Sequence, residues 1–460
     1  MAEKYDCLII GAGMSGLAAG IRLGMYGKKV CILEKHTIPG GLNSYYKRKS
    51  HLLDVGLHAL TNFAPKGTRS GPLPKIFRQL RIPYDTFKLS PQVKSKIVFP
   101  EHELTFTNNI DDLISEVHQN FPHETDGFLK LIEKIKSHNA LSLSDSYLSA
   151  KEVVGEYIKD SILKEMIFTP PLIYGSAWEN DMDFSQFVIM FESLYLEGLS
   201  RPFGGVRTIL SSLEEKIKKL GIEIRYRSGV KRIITQDNKA VGVELLNGEI
   251  LKTDKILSSA GLPETMNMVK EETPTYLTGG LSFTESILIL KDRPKTFGAD
   301  STLIFYNNDK IYKYQKPKTL VDFDSAVVCF PNNFEKDDLN EGVVRITNIA
   351  NFKKWDDLDR KSYLIEKEKV YQNSLKLIKK LYPGFNHEVI YKDVFTPKTV
   401  KRFTGHLGGA VYGSPEKKKD GTTAFKDLYI CGTDQGFLGI VGSMLSGISM
   451  ANLHVLMGNK

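Results

Sequence analysis

A chain of 460 residues, 41% hydrophobic and 25% charged, can bury a large core but exceeds the size at which one core stops growing, so two domains are expected and a disordered chain is excluded. The formal charge of +8 is spread along the chain, apart from short runs such as Lys417, Lys418 and Lys419. That distribution argues against a nucleic-acid partner and leaves attraction to an anionic membrane surface open.

The segment Cys7 to Ile21 is uncharged, yet no basic stretch precedes it and its glycines are spaced for a turn, so it is not expected to be a signal peptide. The reading here is a short buried strand, Cys7 to Ile10, then a helix from Ser15 to Gly24, then a second strand, Lys29 to Leu33, ending at Glu34. Such a βαβ unit with Gly11, Gly13 and Gly16 at its first turn binds a dinucleotide. Gly11 allows the tight turn, Gly13 admits a pyrophosphate to the helix N-terminus, and Gly16 lets the helix pack on the strands. Glu34 stands where a ribose 2′-hydroxyl would donate to it, which disfavours a 2′-phosphate. This fingerprint does not separate NAD from FAD. The following "EKHTIPGG" brings in Gly40 and Gly41, and a second glycine pair suits the longer flavin nucleotide.

The arrangement "GAGMSGLAAG", "LEKHTIPGG" and "LLDVGLHAL" resembles the FAD-binding start of the amine-oxidase and phytoene-desaturase superfamily. That resemblance implies FAD as cofactor and a Rossmann-like, glutathione-reductase-type domain joined to a discontinuous α+β substrate domain on a mixed sheet. Leu42 and Asn43 follow the glycine pair where relatives often carry Arg, so only backbone contacts carry over there. "DVGLH", Asp54 to His58, resembles the strand and turn beside the flavin, with His58 either touching flavin or substrate or packed structurally.

Residues 76 to 204 carry helix-like stretches around Asp111 to His118 and Gly127 to Ser137. They end in "DFSQFVIMFESLYLEGL", where Phe184, Phe187, Val188, Phe191, Leu194 and Tyr195 keep helical spacing and Ile189 and Met190 widen the apolar face. This helix reads as core, with the wall of a tunnel for a long apolar substrate as the functional alternative. A helix with Ile209, Leu210, Leu213, Ile217 and Leu220 follows, stopped by Gly221, then strands with Asn247 and Gly248 at a hairpin turn. The resemblance sets Val230 beside adenine and Ala260 and Gly261 against the dinucleotide. "TESILIL", "TLIFYN", "SAVVCFP" and "VVRITNIA" read as strands of the substrate domain.

Near the C-terminus, "TPKTVKRFTGHLGGAVYG" resembles a flavin-adjacent strand and turn, where Arg402 and His406 could hold a polar substrate end or donate a proton. From Leu428 to Met457 the chain reads as buried strand, glycine-rich turn and apolar helix. Asp434 is expected near the ribityl chain, and the backbone N–H groups around Gly439 and Ile440 near the flavin pyrimidine, where the helix dipole would stabilise a reduced flavin. The His-Pro pair typical of bacterial phytoene desaturases is absent from this turn, which is more similar to retinol saturases and plant-type carotenoid isomerases. The resemblance covers about half the chain.

The expected domains are 1–75, 205–265 and 395–460 for FAD, and 76–204 and 266–394 for substrate. Residues expected to hold FAD are Gly11, Gly13, Met14, Ser15, Gly16, Glu34, Lys35, Gly41, Leu42, Asn43, Gly56, His58, Val230, Ala260, Gly432, Asp434, Gly439 and Ile440. No catalytic side chain is assigned, because in this superfamily the flavin carries the chemistry. No GxSxG, HExxH or P-loop lysine occurs, which sets aside serine hydrolases, zinc proteases of that class and P-loop ATPases. Cys7, Cys31, Cys329 and Cys431 form no CxxC pair and share no metal-ligand spacing with histidine, so neither a disulfide nor a metal site is expected, as suits a reducing compartment.

The expected activity is an FAD-dependent oxidoreductase on carbon–carbon bonds of a polyene, isoprenoid or similar lipid. An amine oxidase, a sugar mutase and a lipid carrier are the alternatives. Beyond the opening segment no run is expected to cross a membrane, and the protein is expected in the cytoplasm or peripheral to a membrane, with a small apolar substrate and no nucleic acid.

Overall fold

The computed structural model describes residues 4–142, 146–269 and 275–457. Its elements are organised by two seven-stranded sheets. In the first, Lys4–Ile10 runs parallel to Val30–Leu33 on one side and to Ile250–Ser258 on the other, with Ile10 beside both Leu33 and Ser258. Burial on both faces explains why "CLII" and "VCIL" are unbroken apolar runs. Glu223–Arg225 extends this sheet beyond Val30–Leu33, and Leu428–Ile430 pairs parallel with the end of Ile250–Ser258. The hairpin at Asn247 and Gly248 joins two antiparallel strands at the other edge.

The helix after the first turn, Met14–Gly24, packs against Val206–Lys219 and Gly439–Met450. Their apolar faces meet in one core with Leu17, Ile21, Ile209, Leu213, Met444 and Ile448. Small residues make the closest approach possible: a Cβ on Gly447 would lie 2.0 Å from the Ser15 carbonyl oxygen.

The second sheet runs Val389–Phe395, Ser282–Leu290, Gly342–Ala350, Ser325–Cys329, Leu303–Asn307, Ser95–Phe99 and His102–Phe106, and contains the four expected strands. Neighbours are antiparallel except Leu303–Asn307 with Ser95–Phe99. One face carries Leu288, Ile304, Val328 and Ile346 against the helix Arg360–Leu381. The other carries Phe305, Val327 and Phe283 against a helical layer drawn from residues 110–196.

The aromatic helix is core along most of its length, as expected, and also borders a cavity. Phe184–Phe191 continues through a π-helical turn, Glu192–Leu196. Phe184, Phe187, Phe191, Leu194 and Tyr195 are core, while Gln186, Ile189 and Met190 face a cavity.

Two expectations need correction. The segment around Arg402 is not a strand: Pro397–Thr404 is a helix, because Thr396 and Thr399 form a capping box, Pro397 occupies the first turn and Gly405 closes it in the left-handed region. The C-terminal helix also has a run, Gly439–Leu456, long and apolar enough to cross a membrane, although 56% of it is buried inside the protein. The four cysteines are buried and form no disulfide among the described residues.

Candidate functional site

Where the first strand ends, each glycine of the opening motif meets a different neighbour. A Cβ on Gly16 would lie 2.0 Å from the Gly11 carbonyl oxygen, and one on Gly11 would lie 2.5 Å from Ser259 Oγ. A Cβ on Gly13 meets nothing within 4 Å. Gly13 caps the N-terminus of Met14–Gly24 without a side-chain hydrogen bond, so open space faces the first-turn N–H groups, as a pyrophosphate cradle requires. The second glycine pair folds onto the first: Gly40 N–H donates to Ala12 O at 2.8 Å, and Gly13 bridges Gly40. Glu34 Oε2 accepts from Ala12 N and Oε1 from His36 N, each at 2.8 Å. The acid at the end of the second strand therefore sits directly over the glycine turn.

Eight of the eighteen expected residues, namely Glu34, Gly41, Leu42, Asn43, Gly56, His58, Gly439 and Ile440, line one cavity of about 2720 Å³. Such a volume exceeds the usual range for small-ligand pockets, roughly 300–1,000 Å³, and has room for a dinucleotide and a second elongated molecule. Gly11, Gly13, Met14, Ser15, Gly16, Lys35, Val230, Ala260, Gly432 and Asp434 do not line it. Met14, Ser15 and Gly16 are buried in the first turn of their helix, and a Cβ on Gly432 would lie 2.9 Å from Ser15 Oγ. Val230 begins a strand and Ala260 follows one. Asp434 has both oxygens engaged, accepting from Leu262 N at 2.6 Å and from Ser414 N at 2.8 Å. Its carboxylate ties the two late loops together.

The middle of the cavity is built on the Asp54–His58 turn. Gly56 has φ 67°, and a Cβ there would lie 2.4 Å from Leu42 O, so this turn can press against the second glycine pair only as glycine. Two arginines clamp it. Arg201 pairs with Asp54 Oδ2 at 2.5 Å and donates to Leu57 O at 3.0 Å. Arg345, buried in the second sheet, pairs with Glu285 and donates to Leu57 O at 2.7 Å and Asp54 O at 3.1 Å. His58 Nε2 lies 2.8 Å from Thr347 Oγ1 and 3.7 Å from Glu285 Oε2.

Burial, reinforced by Arg345 and Arg201, holds the His58 imidazole well below its ordinary pKa, so it is neutral at pH 7. An unfolded histidine takes up a proton below about pH 6.5, while the folded one resists it. Stability is therefore complete above that pH and falls as pH drops through it, by up to about 1.4 kcal/mol per pH unit from this group. The His58→Gln variant is expected to lack that component when denaturant unfolding is compared at roughly pH 7.5 and 5.5, on either side of that ordinary value; identical pH slopes for the two proteins would contradict the assignment.

Beyond this turn the walls become apolar: Ile173, Ile189, Met190, Phe283, Val327 and Leu438. Tyr174 Oη, Gln186 Nε2 and Gln435 Oε1 belong to lining residues and are buried without a hydrogen-bond partner among the described residues; groups of that kind are satisfied by a bound molecule or water. On another wall, Asn62 donates to Glu197 Oε2 at 2.7 Å. Burial raises the Glu197 carboxyl to about 7, with Asn62 opposing the shift and Glu192 adding to it.

Arg402 lies on the exposed rim of the cavity. His406 is buried outside it, with Nδ1 3.6 Å from Glu264. Sequence reasoning missed Arg201, Glu285, Arg345 and Thr347. The available signal was a lone acid in "TESILIL" and a lone base in "VVRITNIA", since a charge inside a buried strand needs a partner.

A Rossmann-like dinucleotide fold, joined to a mixed-sheet α+β part across one large cavity, defines the class as a flavin-type oxidoreductase fold. An NAD(P)-binding Rossmann-like domain model matches residues 9–80. The chain is 27% identical to the chloroplastic prolycopene isomerase of Daucus carota, over 98% of this chain and 80% of the relative. It is 23% identical to the all-trans-retinol 13,14-reductase of Danio rerio, over 98% and 87%. Among solved structures, a putrescine oxidase redesigned in its cofactor binding has the same fold, with a TM-score of 0.64, 14% identity and 99% of each chain covered. These similarities are to a prolycopene isomerase and a retinol reductase in sequence and to a putrescine oxidase in fold. They run through the central regions, where the sequence matched only coarse architecture.

Proposed function

We propose that this protein is an FAD-dependent oxidoreductase that desaturates, saturates or isomerises carbon–carbon bonds of a polyene, isoprenoid or similar lipid. The observation that carries this reading is the cavity, which runs from Glu34 and the second glycine pair, folded onto the opening glycine turn, to apolar walls around Ile173, Ile189, Met190 and Phe283. The relatives agree with it, one bearing the name of an isomerase and another that of a reductase.

On this reading Gly11, Gly13, Met14, Ser15 and Gly16 receive the pyrophosphate and Glu34 the adenosine ribose. Lys35, Val230 and Ala260 flank the adenosine half; Gly41, Leu42, Asn43, Gly56 and His58 border the flavin half. Bound FAD supplies the acceptor or donor of the hydride equivalent. The chain's own groups hold and shield it: Gly439 and Ile440 present the positive end of the C-terminal helix to developing negative charge, and neutral His58 offers a polar contact without a charge. Gly432 and Asp434 shape the turn before that helix. Residues 1–75, 205–265 and 395–460 form the cofactor domain and the remainder the substrate domain. The protein works in the cytoplasm or against a membrane surface.

The test begins with the visible absorption spectrum of the purified protein and identification of the released chromophore. Stoichiometric FAD whose absorbance changes on anaerobic addition of a carotenoid or retinoid, with a product of altered unsaturation or geometry, is the expected result. Absence of flavin after reconstitution with FAD would overturn the assignment, as would a bound flavin indifferent to every polyene while it turns over an amine.

A further inference from the structure

Among the acids that line the cavity, Glu197 is held differently from the two that are fully buried. Glu34 accepts two backbone N–H groups and Glu285 is paired with Arg345, whereas the one donor to Glu197 among the described residues is the Asn62 amide, 2.7 Å from Oε2. Asn62 is itself fixed on two sides: its N–H donates to Ser193 O at 3.0 Å, and its Oδ1 accepts from Thr61 Oγ1 at 3.0 Å. Thr61 stands where a Cβ on Gly439 would lie 3.7 Å from its hydroxyl oxygen. Two hydrogen bonds therefore lead along the wall from the N-terminus of the C-terminal helix to Glu197, and Gly439, Thr61, Asn62 and Glu197 all line the cavity. The other carboxyl oxygen, Oε1, faces outward. A Cβ on Gly71 would lie 3.3 Å from it, and Gly71 belongs to a solvent-exposed rim of the cavity with Arg69, Lys75 and Arg78. Glu197 also closes the π-helical turn, its N–H donating to Glu192 O at 2.8 Å, a backbone distortion that is frequent at functional sites.

We propose that Glu197 exchanges the proton of the reaction, with Asn62 as its positioning residue, an inference that rests on the polyene reading. Saturation of a carbon–carbon double bond adds a hydride to one carbon and a proton to its neighbour. Bound FAD supplies the hydride with its electron pair, and the Glu197 carboxyl supplies the proton. The carboxylate left behind takes a proton from water at the Gly71 rim. In desaturation the carboxylate withdraws a proton from one carbon as the hydride leaves the other, and in isomerisation the proton is added and then returned after rotation about the loosened bond. Each of these steps needs a carboxyl that holds and releases its proton near neutral pH. The surroundings of Glu197 provide that condition: burial raises its pKa to about 7, with Asn62 opposing the shift and Glu192, from the same turn, adding to it. Arg69, Lys75 and Arg78, the cations of the rim, form no ion pair with it among the described residues.

Infrared difference spectra of the protein without substrate, taken between roughly pH 5.5 and 8.5, far above the ordinary carboxylate range, test the carboxyl directly. A protonated-carboxyl band that disappears over this range is expected in the wild type and is absent from Glu197→Gln. That variant keeps an acceptor for the Asn62 amide, so its melting transition and flavin content should match the wild type. In Asn62→Gly, where glycine suits φ 62°, loss of the amide donor should move the midpoint of the band upward. The flavin-loaded, anaerobically reduced protein is then mixed with all-trans-retinol and with prolycopene, and product formation is followed against pH. The rate should fall as pH rises through about 7, and Glu197→Gln should be slower by roughly a hundredfold or more with a flat profile. A carboxyl band that survives Glu197→Gln, or a variant as fast as the wild type with the same pH profile, would overturn the role of Glu197 and leave the polyene reading standing. An unmoved midpoint in Asn62→Gly would remove Asn62 from the positioning role. A wild type that turns over neither probe nor any other polyene would overturn both the proton assignment and the reading beneath it.

Discussion

The Gly13→Val protein is expected to fold as the wild type does and to purify without its flavin. Gly13 has φ −69°, which any residue adopts, and a Cβ there meets no atom within 4 Å. The protein therefore has no steric objection to a side chain at this position. The objection comes from the ligand, because a branched side chain at the N-cap of Met14–Gly24 occupies the space through which a pyrophosphate reaches the helix N–H groups. Affinity for FAD should fall by roughly a hundredfold or more, on the order of 3 kcal/mol, with an unchanged melting transition of the apo form. Gly16→Val is the contrasting case: its Cβ would lie 2.0 Å from Gly11 O, so it should disrupt the turn itself and destabilise the apoprotein as well. A Gly13→Val protein carrying a full complement of flavin would remove the cradle from the account. So would one that lost its flavin only because it failed to fold.

Replacing Arg345 with Ala should cost about 3–5 kcal/mol of stability, the usual consequence of leaving a buried charge without its partner. Arg345 is 2% exposed, as is Glu285. Its removal also strips a donor from the Leu57 and Asp54 carbonyls and leaves the Glu285 carboxyl, whose pKa burial already raises, with less reason to stay ionised. Because Arg345 helps depress the pKa of His58, the imidazole of the variant should titrate closer to its ordinary value, a change that general loosening of an unrelated core site would not produce. The double replacement Glu285→Leu with Arg345→Met removes both charges and should recover much of the loss. Urea unfolding measures the stabilities and histidine NMR the titration. A loss below about 1 kcal/mol for Arg345→Ala would show that the Asp54–His58 turn is held by other means.

Local elements with a repeating pattern are legible in the amino-acid sequence. The βαβ unit announces itself because a buried parallel strand must be continuously apolar and because a glycine spacing of two and three belongs to one turn geometry. The four strands of the second sheet and the Val206–Lys219 helix are legible for the same reason. The Pro397–Thr404 helix is harder to read, although its cap, Thr396, and its first-turn proline are standard helix starts; likeness of the segment to a strand and turn competes with that local signal. The length of apolar chain in the C-terminal helix is disguised as well, because glycines and serines dilute its larger residues.

The glycine turns at the cofactor end proposed here are visible in sequence because glycine is a residue type that spacing exposes. The substrate end is not. Its walls come from the loop after Ser137, the helices around Tyr174 and Ile189, the strands carrying Phe283, Val327 and Thr347, and the turn before Gly439, segments that share no periodicity with one another. The Arg345–Glu285 pair could not be inferred as a pair, since the two residues are 60 positions apart and become neighbours only when Ser282–Leu290 and Gly342–Ala350 align in the sheet. What the sequence determined by itself was the dinucleotide cradle and the alternation of buried strands and amphipathic helices, because those depend on interactions within a few turns of chain. The volume of the cavity and the neutrality of His58 were decided by tertiary structure alone, because desolvation is a property of what packs against a residue.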